Sequence, residues 1–194
     1  MSNVSGGVRS SRPPQNGHCA SSSSVGGSSS ACAAPGRFAR FAREGFEREA
    51  ATLGLELVAE PADADAVLLC GPFEWELERL RTLPRTKLLG GVSPGLTAIA
   101  ERLDPEGLLA PVQWHPDLGG PPGLEDYVAG QAYAAAVIAE RCPAPEDALG
   151  FETETFFGAF RLAPDGLQVG HELSVVQWRG GRRELLLSGA SSLV

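Results

Sequence analysis

Five consecutive apolar residues, Ala66–Cys70 (AVLLC), stand between Asp65 and the Gly71-Pro72 pair. An unbroken apolar run this short reads as a strand buried on both faces, the condition of a parallel sheet covered by helices. The surrounding sequence supplies candidate helices and further strands. Phe38, Phe41, Ala42, Gly45, Phe46, Ala50 and Leu53 recur at helical spacing, and Gly54 provides a stop. Leu55–Glu60 reads as a short strand, and Phe73–Leu83 as a helix with Leu77, Leu80 and Leu83 on one side. Lys87–Val92 is a third strand, Pro94–Leu103 a helix opened by proline, and Leu108–Trp114 a fourth strand. Leu124–Cys142 is the longest helix, with Tyr127, Gln131, Ala134, Ala135 and Ile138 along one face.

Strands alternating with helices predict an α/β lobe with a doubly wound parallel sheet, flavodoxin- or Rossmann-like. Ligands of such sheets bind beyond the carboxyl ends of the strands. That expectation points to the loops after Glu60, Cys70, Val92 and Trp114. Residues 156–183, FFGAFRLAPDGLQVGHELSVVQWRGGRR, change the pattern. A strand-like run ends at Pro164-Asp165-Gly166, and an alternating run containing Trp178 returns to Gly180-Gly181. The turn residues predict a C-terminal β-hairpin about Asp165-Gly166.

Residues 1–36 hold 11 Ser, 6 Gly and 3 Pro, too little apolar matter to offset the entropy of ordering. The reading is a disordered tail over 1–36 and one lobe over 37–194. Arg9 and Arg12 are the only Lys, Arg, Asp or Glu in that tail, so all 24 acidic residues fall in the body of a chain with net charge −8. Such a body lacks the positive footprint that nucleic-acid backbones and anionic membranes require. No apolar run reaches the length of a bilayer span, and serines occupy the place where a secretory h-region would lie. Cys19, Cys32, Cys70 and Cys142 are far apart with no C-x-x-C spacing. They read as free thiols, with a Cys19–Cys32 bridge as the alternative.

Catalytic patterns are sparse. Gly91-Val92-Ser93-Pro94-Gly95 fits G-x-S-x-G between a strand and a helix, and Asp126 and His171 follow in hydrolase order. The residue after a nucleophilic serine must donate its N–H to the oxyanion, and Pro94 has none. Ser93 reads better as a helix N-cap, and a serine hydrolase is the least favoured function. His18, His115 and His171 show no metal-ligand spacing, with His115 placed in a solvated loop. No phosphate-cradling glycine motif is present, so no cofactor, metal or enzymatic activity is expected.

The hairpin wording resembles the C-terminal signature of the substrate-binding receptors of amino-acid ABC importers, the branched-chain type of the type 1 periplasmic-binding proteins. Four further stretches are similar to the same family in the same order: Ala39–Glu60, Asp65–Gly71, Gly107–Asp117 and Gln131–Arg141. Together they span about residues 37–187 and correspond to the second of the family's two lobes. The resemblance implies a non-catalytic solute-binding component working outside the cytoplasmic membrane with an ABC permease. By position it assigns ligand contacts to Glu60, Gly71, Phe73, Glu74 and Trp114. A single lobe presents half a cleft, so weak affinity for a free amino acid or amide is expected. The alternative is a protein-interaction or regulatory module on the same lobe, with homo-oligomers formed through an uncovered cleft face.

Overall fold

The computed structural model describes residues 26–85, 87–142 and 144–187. Seven strands form one sheet: β1 (Ser28–Ala33), β2 (Glu56–Leu57), β3 (Ala66–Cys70), β4 (Leu88–Gly91), β5 (Leu109–Val112), β8 (Ser174–Arg179) and β9 (Arg182–Leu187). Their order is β2-β1-β3-β4-β5-β8-β9. The first five run parallel, while β8 and β9 add antiparallel. Two strands, β6 (Glu152–Thr155) and β7 (Gly158–Arg161), form a separate small hairpin. The α/β class and the mostly parallel sheet are as the sequence predicts.

Strand β1 corrects the reading of residues 1–36 as an unstructured tail. Ser28–Ala33 lies inside the sheet, paired with β2 on one side and along five residues with β3 on the other. Composition misleads here because the order comes from the backbone ladder, not from large apolar side chains. Ser29 and Ser30 are buried. The Ser28 hydroxyl and N–H both donate to Asp65 Oδ2 at 2.9 Å, tying the start of β1 to that of β3. Residues 1–25, including Cys19, lie outside the described residues.

Helix α1 (Arg37–Thr52) forms where the spacing predicts, and Ala42, Phe46 and Ala50 of the expected stripe face the sheet together with Ala39. Ala39 and Ala50 are buried, whereas Phe38 and Phe41 are 62% and 70% exposed. Small residues let α1 approach Ala34, Cys70 and Leu68 closely. Gly54, at φ 69°, ends the helix, and the Leu55 N–H donates back to the Ala50 carbonyl. Between β2 and β3 the chain makes only turns.

Helix α2 (Phe73–Thr82) covers the other face, burying Leu77 and Leu80 with Val67, Leu69, Leu89, Ile99, Leu108 and Trp178. The helix expected over Pro94–Leu103 is instead two 3₁₀ segments, Ser93–Gly95 and Thr97–Glu101, separated by extended Leu96. Ser93 does not cap through its side chain. Helix α3 (Tyr127–Arg141) begins where Asp126 Oδ1 accepts the N–H groups of Val128 and Ala129.

The C-terminal ribbon is present, but its pairing differs from expectation. Around Asp165-Gly166 a single bridge, Leu162 with Gln168, closes the turn. Beyond it the flanking strands part: β7 pairs with β6, and β8 with β5 and β9. The long hairpin turns at Gly180-Gly181, at φ 57° and 77°. β8 uses one edge on the open side of β5 and the other on β9, which leaves neither for β7.

Candidate functional site

Because β1–β5 run parallel, their carboxyl ends Ala33, Leu57, Cys70, Gly91 and Val112 form one crest. In a 2-1-3-4-5 sheet the connections reverse direction between β1 and β3, and ligands bind at that reversal. A crevice of about 600 Å³ opens there, lined by Ala33, Ala34, Pro35, Gly36 and the side chains of Arg37, Arg40 and Arg43. Helix α1 starts at this crevice with no side-chain cap and no acidic residue in its first turn. Its leading N–H groups and Arg37 give the crevice positive potential, while Arg43 Nε donates to Glu47 at 2.7 Å and Arg40 lies 4.0 Å from Glu44.

The middle of the crest is organised by Glu76, one turn into α2 and fully buried. Its Oε1 accepts the Gly71 N–H at 3.0 Å and, more distantly, the Val92 N–H at 3.5 Å. Its Oε2 accepts the Ser93 N–H at 2.7 Å. Burial pushes the carboxyl above its ordinary value, opposed by the Ser93 hydroxyl and by these backbone donors. Gly91 is shaped to the same group, since a Cβ there would stand 2.9 Å from Oε2. The loops after β3 and β4 are thereby clamped to each other from within. Further contacts fix the second loop: Trp178 Nε1 donates to the Pro94 carbonyl at 2.7 Å, and Arg183 donates to the Gly95 and Glu125 carbonyls.

The five residues singled out from the sequence all lie along the crest, but they do not converge. Glu60 is exposed beyond β2, and Trp114 follows β5. Four strand spacings of about 4.8 Å put those two strands about 19 Å apart, more than a free amino acid spans. Gly71 gives its N–H to Glu76, and a Cβ on it would stand 2.5 Å from Trp75 Cε3. Phe73 packs its ring against the α2 core. Glu74 makes a two-pronged ion pair with Arg102, both contacts 3.0 Å. Trp114 is 2% exposed, donates its indole N–H to the Gly119 carbonyl at 2.9 Å, and walls a cavity.

Other polar candidates are occupied elsewhere. Asp126 caps α3 and accepts the Thr97 hydroxyl, while His171 Nε2 lies 2.8 Å from the Gln113 carbonyl, so no relay joins them to Ser93. His115 is 6% exposed rather than solvated, and its Nδ1 accepts the Asp117 N–H. Burial lowers its pKa, against the raising effect of Asp117. Among the described residues no His, Cys, Asp and Glu are grouped to hold a metal ion, and no helix is long and apolar enough to cross a membrane.

Sequence reasoning missed Glu76, although a signal was there. Glu76 stands four residues before Leu80, so it shares the apolar stripe of α2. An acid on a buried stripe is a group held by specific partners.

No protein-family model matches the chain, and no curated protein matches its sequence. Solved structures do match in fold. The leucine-binding protein LivK of Thermotoga maritima superposes with a TM-score of 0.68 at 14% identity, over 82% of this chain and 59% of that one. An ABC transporter substrate-binding protein of Desulfitobacterium hafniense, solved with leucine, gives 0.63 at 14% identity, over 85% and 62%. A branched-chain amino-acid ABC transporter protein of Thermus thermophilus, with bound valine, gives 0.55 at 17% identity, over 87% and 61%. The chain has the α/β fold of a periplasmic-binding-protein lobe. It spans about three fifths of the length of these similar proteins.

Proposed function

We propose that this chain is a non-catalytic solute-binding lobe for an amino-acid-type ligand, serving an ABC importer outside the cytoplasmic membrane. The observation that carries the reading is the reversal point of the 2-1-3-4-5 sheet. It opens on a crevice where the uncapped N–H groups of α1 and Arg37 suit a carboxylate, with Arg40 and Arg43 beside them paired to Glu44 and Glu47. The fold likeness to proteins solved with leucine and valine supports the same ligand class. The loops after β3 and β4 spend their backbone donors on Glu76, so the β1 loop and the start of α1 are the parts of the crest that meet the ligand. Glu60, Gly71, Phe73, Glu74 and Trp114 then act as surroundings, with Gly71 nearest the crevice.

One wall leaves much of a ligand in water, so affinities weaker than about 100 μM are expected for the chain alone. Amide NMR during titration with leucine, valine and glutamate tests this. Saturable shifts confined to residues 34–43 and their neighbours support the reading. No shift there with any of the three up to about 20 mM overturns it.

A second reading rests on the face of the sheet beside α1. Phe46, Leu68, Leu88, Leu109, Pro111 and Val175 line an apolar groove there, and Leu88 is 53% exposed. Exposed apolar surface of this kind favours association. In this reading the lobe is an interaction module, and light scattering reports a dimer that Leu88→Glu dissociates without any response to amino acids.

A further inference from the structure

A second cavity lies at the other end of the crest, separated from the arginine-lined crevice by β3 and β4. It measures about 480 Å³ and is bounded by the end of β5, the β6–β7 hairpin and the segment leading into β8. Trp114, Phe156, Phe157 and His171 form its walls, and the exposed Glu154 and Glu172 stand among its lining. Among the described residues no lysine or arginine lines it.

Trp114, Phe156 and Phe157 are set at steep angles, each to the next. Trp114 and Phe156 meet edge to face, with centroids 5.6 Å apart and planes at 83°. Phe156 and Phe157 do the same at 6.4 Å and 86°. Phe157 stacks on His171 at 5.0 Å and 14°. Trp114 is buried behind Phe156, which Tyr133 also meets edge-on at 5.7 Å, so the half-buried Phe156 and Phe157 supply the aromatic surface open to the cavity.

Each ring is seated against a glycine from a different part of the chain. A Cβ at Gly120 would come 2.6 Å from Phe156, one at Gly130 2.9 Å from Trp114 and 3.2 Å from Phe157, and one at Gly158 2.7 Å from His171 Nδ1. Side chains there would displace the rings. The glycines fix the shape of the cage.

His171 completes the wall: its Nε2 donates to the Gln113 carbonyl at 2.8 Å, and its Nδ1 faces Gly158. The lining therefore offers aromatic surface and two exposed carboxylates, with no cationic side chain among the described residues. That combination repels anions, and the volume exceeds what a bare ammonium ion fills.

We infer that this cavity binds a small alkylated ammonium compound, the cationic head resting against Phe156 and Phe157, with buried Trp114 behind them and Glu154 and Glu172 balancing its charge. This goes beyond the proposed amino-acid crevice, and the two sites share no lining residue.

The test uses the full chain and tetramethylammonium chloride, with sodium chloride holding ionic strength constant, read by amide and indole NMR. Saturable shifts at Trp114, Phe156 and Phe157 are expected, with none at residues 34–43. The neutral isostere 3,3-dimethylbutanol, compared with choline, should bind at least about tenfold more weakly. The double variant Glu154→Gln/Glu172→Gln, both positions exposed, should keep the melting temperature and weaken choline binding about tenfold. Phe156→Leu should weaken it similarly. Absence of saturation up to about 100 mM cation, or equal affinity for choline and its neutral isostere, overturns the inference. Failure of amino acids at the arginine crevice would leave this result unaffected.

Discussion

Trp178 donates its indole N–H to the carbonyl of Pro94 at 2.7 Å, across 84 residues of sequence. The bond joins the C-terminal ribbon to the loop after β4, deep in the core where both groups are shielded from water. It makes the ribbon a brace for the crest as well as an edge to the sheet. Trp178→Phe keeps most of the apolar packing but strands the Pro94 carbonyl. A loss of about 1–3 kcal/mol is expected, read as a lowered urea midpoint. Faster hydrogen exchange at the Ser93 amide should accompany it, and unchanged exchange there would show that the brace does not reach the loop.

Glu76 is the second fixed point of the same loop. Removing its carboxylate in Glu76→Ala leaves the Gly71 and Ser93 N–H groups buried without acceptors, and a loss of about 3 kcal/mol or more is expected in chemical unfolding. Glu76→Gln is also destabilising, since its NH₂ must face one of the two donors. The pH dependence has a definite sign. Burial raises the folded pKa, so the stability linked to this proton is complete below the unfolded carboxyl value near 4.5 and is lost as pH rises through the raised folded value. The stability difference between the native chain and Glu76→Gln should therefore favour the native chain more at pH 4.5 than at pH 7. A difference that grows toward neutral pH would contradict the assignment of burial as the dominant influence.

The sheet was legible from Ala66–Cys70 because an unbroken apolar run has one comfortable environment, and Phe73–Leu83 and Leu108–Trp114 followed from ordinary periodicity. Strand β1 was not legible. Its SSSACA carries no apolar pattern, and what orders it is pairing with β3 and the grip of Asp65 on Ser28, both invisible to composition. The stripe of α1 was legible in part: Ala42, Phe46 and Ala50 face the sheet, while Phe38 and Phe41 stay exposed because apolar spacing alone does not say how closely a helix approaches. Asp165-Gly166 marked a real turn, but a turn signal fixes direction locally and does not choose the partner strand. Competition for the open edge of β5 decided that. The aromatic cavity escaped notice because Trp114, Phe156 and His171 are brought together by tertiary structure alone.

Cys70 ends β3 beneath α1, and burial raises its thiol pKa to about 11, helped by the nearby Glu76 carboxylate and Cys32. Thiolate is the reactive form, so this side chain should resist iodoacetamide at pH 8 in the folded chain. Mass spectrometry after timed labelling should show Cys70 modified only once denaturant is present. Rapid native labelling of Cys70 would mean that α1 opens readily from the sheet, a measurable statement about the helix that lines the arginine crevice.

Gly158 separates two sources of strain at one residue. Its φ of 125° is closed to ordinary side chains, and a Cβ would also stand 2.7 Å from His171 Nδ1. Gly107, at φ 80° with nothing within 4 Å of a Cβ, carries the backbone cost alone. Gly107→Ala is expected to lose about 1 kcal/mol. Gly158→Ala should lose roughly 1–3 kcal/mol more, because the imidazole must leave both its stack on Phe157 and its bond to the Gln113 carbonyl. Urea unfolding of the two variants measures the difference. The His171 ring resonances give an independent check, for they should shift strongly in Gly158→Ala and stay in place in Gly107→Ala. If the displaced imidazole also abolishes the response to tetramethylammonium while the melting transition remains cooperative, the glycine seat and the cation cage are one structure. Equal losses in the two variants would show that the ring yields without cost and that Gly158 is there for its turn alone.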